Sequence, residues 1–257
     1  MNDQKYSIEL LNLKKRYGDF EAVHDLTLHV KKGSIFAFLG NNGAGKTTTI
    51  KMMTGQLRPT GGKVHILGQD IWEDRKARKQ VGYVPDTPLL HEGLTAREML
   101  WFVGGLYGIP LETARQRADQ LLGQMGLSER ADDLIRDFSL GMKRKMAIAA
   151  ALIHKPEVLL LDEVTNGLDP RASREVKELI KEVAREGCTV FLTTHILDIV
   201  EELADTIAIL HKGQLKIQGT LEELRSVVEM PNATLEQIFL SLTGEEGQGG
   251  SQACQTS

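Results

Sequence analysis

The run Gly40-Asn41-Asn42-Gly43-Ala44-Gly45-Lys46-Thr47-Thr48 has the residue types and spacing needed to hold a polyphosphate. Glycines let a backbone curl until several N–H groups point at one anion. Lys46 is long enough to reach the outer phosphates of a nucleotide, and the Thr47 hydroxyl can ligate Mg2+. The apolar stretch Ile35 to Leu39 comes just before, and a helix opens near Thr47. A strand therefore delivers the loop, and the positive end of a helix dipole faces the phosphates. With glycine near 7% of residues, such a pattern arises by chance in roughly one chain in a hundred of this length. The chain is read as binding a nucleoside triphosphate.

A second piece of chemistry follows the strand Val158-Leu159-Leu160-Leu161, which runs into Asp162-Glu163. Adjacent acids suit a core badly, because a buried charge without partners is costly. At the mouth of a sheet beside a phosphate loop they have a use. Asp162 can enter the Mg2+ shell, and Glu163 can orient and deprotonate an attacking water. His195, after the strand Thr189 to Thr193, is placed to meet a γ-phosphate or that water, although alone it reads as a solvated loop residue. Phe138-Ser139-Leu140-Gly141-Met142-Lys143 puts a serine and a glycine at a helix start. That describes an ordinary N-cap, and equally a small anion site of one hydroxyl and exposed N–H groups.

The elements that must position these groups are legible from periodicity. Tyr6 to Leu13, Ala22 to Val30 and Lys63 to Leu67 read as strands of an antiparallel sheet beside the nucleotide core. Val81 to Val84 is another short strand, closed by Pro85 and Pro88. From Thr95 to about Lys155 the pattern is helical: Thr95 and Glu98 form a capping-box pair, and Met146 to Ile153 is apolar nearly all round. This predicts a helical insertion, about 88–156, within an α/β domain spanning 1–228. After Val158 to Leu161 comes a helix opened by Asp169-Pro170 and closed by Gly187, then the strand Thr189 to Thr193 and a helix Ile196 to Leu203. Thr206 to Leu210 and Leu215 to Gln218 read as a hairpin, and two helices follow. Residues 229–243 form a C-terminal helical extension, and the Gly/Gln/Ser-rich tail 244–257 is expected to be disordered.

Composition narrows the function further. A net charge of −4 argues against a nucleic-acid binder, and the cluster Arg75, Lys76, Arg78 and Lys79 reads as a solvated helix face. No apolar run approaches the roughly 20 residues that cross a bilayer. The polar start Met1 to Glu9 lacks the apolar core of a signal peptide. Cys188 reads as a small core residue and Cys254 as an incidental thiol of the tail, with no metal or disulfide spacing between them.

Taken together, the motifs resemble the nucleotide-binding subunit of an ATP-binding cassette (ABC) transporter, from about Tyr6 to Gly219. Gly40 to Thr48 matches the Walker A loop and Val158 to Glu163 the Walker B strand; Ser139-Leu140-Gly141 resembles the signature, Asn166-Gly167-Leu168-Asp169 the D-loop, and His195 the switch histidine. Tyr17 stands where the family places the aromatic that stacks on adenine. The resemblance implies a P-loop NTPase cassette: a RecA-like core with a mainly parallel sheet, an antiparallel β subdomain and a helical insertion. It implies that Asn42, Gly43, Ala44, Gly45, Lys46, Thr47 and Thr48 hold ATP, with Thr47, Asp162 and Asp86 near Mg2+ and with Glu163, His195 and Lys46 in hydrolysis. It also implies head-to-tail pairing of two subunits, so that Ser139, Gly141 and Asp169 of one chain meet ATP on the other.

Three departures mark this chain: Leu140 in place of the first signature glycine, Asp86 in place of the glutamine that most relatives carry, and Val164 in place of a proline. The first two, with Leu235-Glu236-Gln237-Ile238-Phe239-Leu240 near the end, resemble bacterial ABC-2-type exporters. The implied partners are a permease on separate chains and a second nucleotide-binding subunit, read as another copy of this chain. The implied location is the cytoplasmic face of the cell membrane, through the permease. Leu89, Leu90, Trp101, Phe102 and Tyr107 are candidates for the permease docking groove, with core packing as the other fate for at least half of them. The alternative is a soluble ABC-type ATPase acting on ribosomes or DNA, against which the single cassette, the short insertion and the net acidity all count.

Overall fold

The computed structural model describes residues 5–244. Two sheets organise the chain. The first is antiparallel, in the order β2-β1-β4-β5, built from β1 (Tyr6–Tyr17), β2 (Phe20–Lys31), β4 (Gly61–Ile66) and β5 (Gln69–Asp70). The second runs β10-β9-β3-β8-β7-β6, from β3 (Ile35–Leu39), β6 (Val81–Val84), β7 (Val158–Asp162), β8 (Thr189–Thr194), β9 (Thr206–His211) and β10 (Gln214–Gly219). It is parallel except for β10, which returns antiparallel to β9 as the hairpin pattern required.

The strands of the second sheet are apolar almost throughout because both their faces are covered. Alternate residues enter different cores. Ile35, Ala37 and Leu39 of β3, Leu159 and Leu161 of β7, and Val190 and Leu192 of β8 face one apolar cluster. Phe36, Phe38, Val158, Leu160 and Phe191 face the other. The second cluster lies toward the antiparallel sheet and α1 (Lys46–Met53), whose Ile50, Met52 and Met53 are fully buried in it. The first is covered by α5 (Leu140–Leu152), α6 (Pro170–Arg185), α7 (Leu197–Leu203) and the insertion helices α3 (Ala96–Leu106) and α4 (Leu111–Gln124).

The insertion is helical as expected, and Thr95 and Glu98 do form the reciprocal capping box. Gly104 sits where α3 and α4 meet; a Cβ there would stand 3.1 Å from Ala114 Cβ. The C-terminal helices α8 (Leu221–Val227) and α9 (Leu235–Thr243) are tied back to the core: Leu235, Ile238 and Phe239 join the cluster that holds α7, and Leu235 N–H donates to Glu201 at 3.0 Å. Of the expected disordered tail only Gly244, the left-handed cap of α9, is described; 245–257 lie outside the described residues.

Two features differ from the sequence reading. The basic cluster forms a five-residue helix, α2 (Arg75–Lys79), capped by Asp74, and it is not wholly solvated: Arg78 reaches Ile71 O at 2.8 Å and lies over the Trp72 ring. β7 extends one residue further than its apolar run suggests, so Asp162 ends the strand and is buried.

Candidate nucleotide site

Parallel pairing brings the ends of β3, β7 and β8 to one edge, with Leu39 beside Thr194 and Asp162 beside Thr193. Ligands of open α/β sheets gather at such carboxyl ends. A cavity of about 470 Å³ opens there, lined by Tyr17, Phe20, Ala22, Asn42, Gly43, Gly45, Lys46, Thr47, Thr48, Asp86, Glu163, Asn166 and His195. Residues of the candidate set that are far apart in sequence are therefore close in space. Ala44 is the loop member turned away; it is buried in the core beneath.

Two of the loop glycines are required by close approach of the backbone. Gly45 has φ +104°, and a Cβ there would lie 2.6 Å from Ala22 O. Gly40 takes no left-handed φ, but its Cβ would press on Leu210 O at 2.5 Å. The folded-over loop leaves Lys46 only 5% exposed, with Nζ donating to Gly40 O at 2.6 Å and Asn41 O at 3.3 Å and pairing with Glu163 Oε1 at 3.1 Å. His195 Nδ1 sits 3.0 Å from the other carboxylate oxygen, Oε2. Both oxygens of Glu163 are thus engaged by groups the sequence had assigned to the same chemistry. Glu163 itself has φ +50°, a left-handed conformation that costs a non-glycine residue about 1–3 kcal/mol.

Asp162 lies one layer deeper. Thr193 Oγ1 donates to Asp162 Oδ1 at 2.6 Å, and Thr47 Oγ1 stands 3.5 Å from the same atom. Burial pushes the Asp162 carboxyl above the usual carboxylate range, the two hydroxyls pull it back, and the neighbouring Glu163 and Asp86 push it up again. Thr193 was read as strand alone; its role depends on β7–β8 register, which no local pattern announces. Asp86 lines the cavity, but the partner of its carboxylate is Arg144 Nη2 at 3.4 Å. The phenol of Tyr83, on β6, is pushed up to about 12 by burial and by Asp162 and Asp86. On the outer rim Tyr17 is 49% exposed, with Phe20 opposite it across the β1–β2 turn.

Ser139, Gly141 and Asp169 are elsewhere. They line a separate small hollow with Met142, Lys145 and Arg171. Ser139 caps α5, its Oγ accepting from Met142 N–H at 3.3 Å, and is exposed. Asp169 caps α6 through Arg171 and Ala172 N–H at 2.9 Å each.

Among the described residues no helix is long and apolar enough to cross a membrane. A family model described as ABC transporter matches residues 23–166. The bacitracin transport ATP-binding protein BcrA of Bacillus licheniformis is 41% identical over 85% of this chain and 71% of its own length. The linearmycin resistance ATP-binding protein LnrL of Bacillus subtilis is 39% identical over 89% of this chain and 76% of its own. Among solved structures, one titled as the ATP binding subunit of an ABC transporter superposes with a TM-score of 0.84 at 34% identity, covering 91% of this chain and 98% of the other. The phosphate loop, the acids and the histidine thus converge at one sheet edge, on a fold and a sequence shared with these proteins: the chain belongs to the ABC transporter family, as one of its nucleotide-binding ATPase subunits.

Proposed function

We propose that this ATPase works in head-to-tail pairs, each ATP held between the P-loop cavity of one copy and the Ser139 hollow of the other, and that the pair drives an exporter whose permease is on separate chains. The observation that carries the proposal is the separation within one chain: an open cavity with the phosphate loop, and an exposed hollow with Ser139, Gly141 and Asp169. Each is half of a site, and a two-fold axis supplies the other half.

Within the P-loop cavity Tyr17 stacks on the base, and the N–H groups of the loop 42–48 cradle the phosphates. Thr47 and Asp162 offer hard oxygen donors, a set that suits Mg2+; held by these residues, the cation would supply positive charge to the phosphates. Lys46 takes the outer phosphates, and in doing so leaves Glu163 Oε1. That oxygen is then free to accept the proton of the attacking water, while His195 holds Oε2. Asp86 stands beside the metal residues on its Arg144 partner.

A groove of about 420 Å³, lined by Leu89, Leu90, Met99, Val103 and Tyr107 among others, supports permease docking. Leu89 is 79% exposed and Tyr107 37%, whereas Leu90 and Trp101 are partly buried. The relatives named for bacitracin transport and linearmycin resistance favour the exporter reading, at the cytoplasmic face of the membrane. Light scattering of the Glu163→Gln protein tests the pairing: a dimer with Mg2+-ATP and a monomer after adding Ser139→Glu support it, and a monomer throughout overturns it. Mild-detergent purification from native membranes tests the partner. A stoichiometric multi-span protein supports the exporter; recovery with ribosomes or DNA-handling proteins overturns it in favour of a soluble ATPase.

A further inference from the structure

Arg144 lies on α5 beyond Ser139, in a stretch whose other inward residues are apolar. Its side chain is only 4% exposed. Nη1 donates to Pro85 O at 3.1 Å and Nη2 to Asp86 Oδ1 at 3.4 Å, while Nε has no hydrogen-bond partner among the described residues. A guanidinium in such a place requires a counter-charge, because removing the partner of a buried ion leaves an uncompensated charge. Burial pulls Arg144 below its usual range, and Asp86 first, then Asp162, hold it up.

The need is mutual. Asp86 adds a carboxylate to a cavity that already holds Glu163, with Asp162 beneath it, and whose purpose is to receive a polyanion. Lys46 is the cation of the phosphate loop and is committed there. Among the described residues, Arg144 is the cation paired with Asp86. Loop 85–86 leads directly from β6, and α5 begins at the Ser139 hollow. The ion pair therefore bridges the nucleotide cavity and the helix that carries the second half-site.

We propose that Arg144 is a positioning residue for ATP turnover: paired with Asp86, it cancels the negative charge that Asp86 brings to the nucleotide cavity and clamps the loop after β6 to α5. The two residues act as one unit, neutral as seen by the triphosphate. Either one alone is harmful, and the absence of both is mild. The proposal rests on the P-loop cavity being the ATP site, and Lys46→Ala tests that separately: if it binds a fluorescent ATP analogue as the parent does, the cavity assignment fails whatever Arg144 does.

The experiment compares the parent, Arg144→Gln, Asp86→Gln and the double variant as full chains. Affinity for the fluorescent analogue is measured in EDTA and in Mg2+, together with ATPase kcat and KM and the urea unfolding midpoint. Arg144→Gln should weaken analogue binding about tenfold in EDTA, the scale of one unit charge acting on another about 12 Å away at an effective dielectric near 20. Its loss in kcat/KM should fall mainly on KM. Asp86→Gln should lower the unfolding midpoint, because it strands a buried guanidinium. The double variant should return to within about threefold of the parent in affinity and should also regain the unfolding midpoint that Asp86→Gln loses, a stability rescue that independent sites do not show. If Arg144→Gln binds within threefold of the parent, or the double variant unfolds at or below the midpoint of Asp86→Gln, the proposal is overturned. Should Arg144→Gln fail to fold, Arg144→Lys carries the test: the retained charge must keep affinity in EDTA within threefold, and a larger loss overturns the proposal.

Discussion

Thr193→Val removes one hydroxyl and keeps the branched shape that β8 needs. The lost bond joins two groups at most 2% exposed, Thr193 and Asp162, at 2.6 Å. Hydrogen bonds to charged groups contribute about 1.5–3 kcal/mol, and an orphaned buried carboxylate forfeits most of that. Thr47 at 3.5 Å is too distant to replace it. We expect a loss near 2 kcal/mol, or roughly 4–8 °C in Tm for a domain of this size.

The pH dependence carries the sharper test. Burial holds the folded Asp162 carboxyl above its unfolded value. Between those two values the folded chain binds more protons than the unfolded one, so this group's contribution to stability falls as pH rises through the window. Removing Thr193 Oγ1 deletes a contact that opposes the upward shift, so the fall becomes larger. Urea unfolding in EDTA across pH reads this directly. The deficit of Thr193→Val should be full at neutral pH and shrink toward the carboxylate range, where the acid is neutral in both proteins. A deficit under about 0.5 kcal/mol, or one that does not change with pH, would refute the claim that Thr193 holds a charged Asp162.

Other outcomes follow from the same geometry. Glu163→Gln should lower ATP hydrolysis by roughly 10²–10⁴ while ATP binding survives, checked by phosphate release beside equilibrium binding. Gly45→Ala forces a Cβ to within 2.6 Å of Ala22 O at φ +104° and should destabilise the chain by about 1–3 kcal/mol, read from chemical unfolding. Leu89→Asp, at an exposed wall of the apolar groove, should abolish permease co-purification and leave the basal ATPase rate of the isolated chain unchanged. Cys188, whose thiol burial pushes up to about 12, should react slowly with thiol reagents at pH 8 in a Cys254→Ser background and rapidly once unfolded.

How much of this was legible in the sequence depends on whether the chemistry is local. The phosphate loop, the Asp162-Glu163 pair and the flanking apolar runs are contiguous, so spacing alone located them. Thr193 escaped because its partner is 31 residues away and is reached only through parallel pairing of β7 with β8. Arg144 escaped for a similar reason: Asp86 is 58 residues distant, and within the run Lys143-Arg144-Lys145 nothing in the sequence marks which cation turns inward. The helix α2 is too short to show a period, and the inward turn of Arg78 depends on Trp72. Ser139 and Asp169 were visible as caps, and the structure adds that they share a hollow apart from the P-loop.

The alternation in β7 has a consequence for how such a chain can change. Val158, Leu160 and Asp162 fall on one face and Leu159 and Leu161 on the other, so the same two-residue beat sorts the cores and aims Asp162. A slip of one residue against β8 would exchange the two apolar cores, turn Asp162 to the opposite face and take it from Thr193 in a single stroke. Packing and catalysis are therefore encoded by one phase. An insertion or deletion within β7 has no neutral version, and ATPase activity recovered after refolding reports directly that the central sheet has found its register.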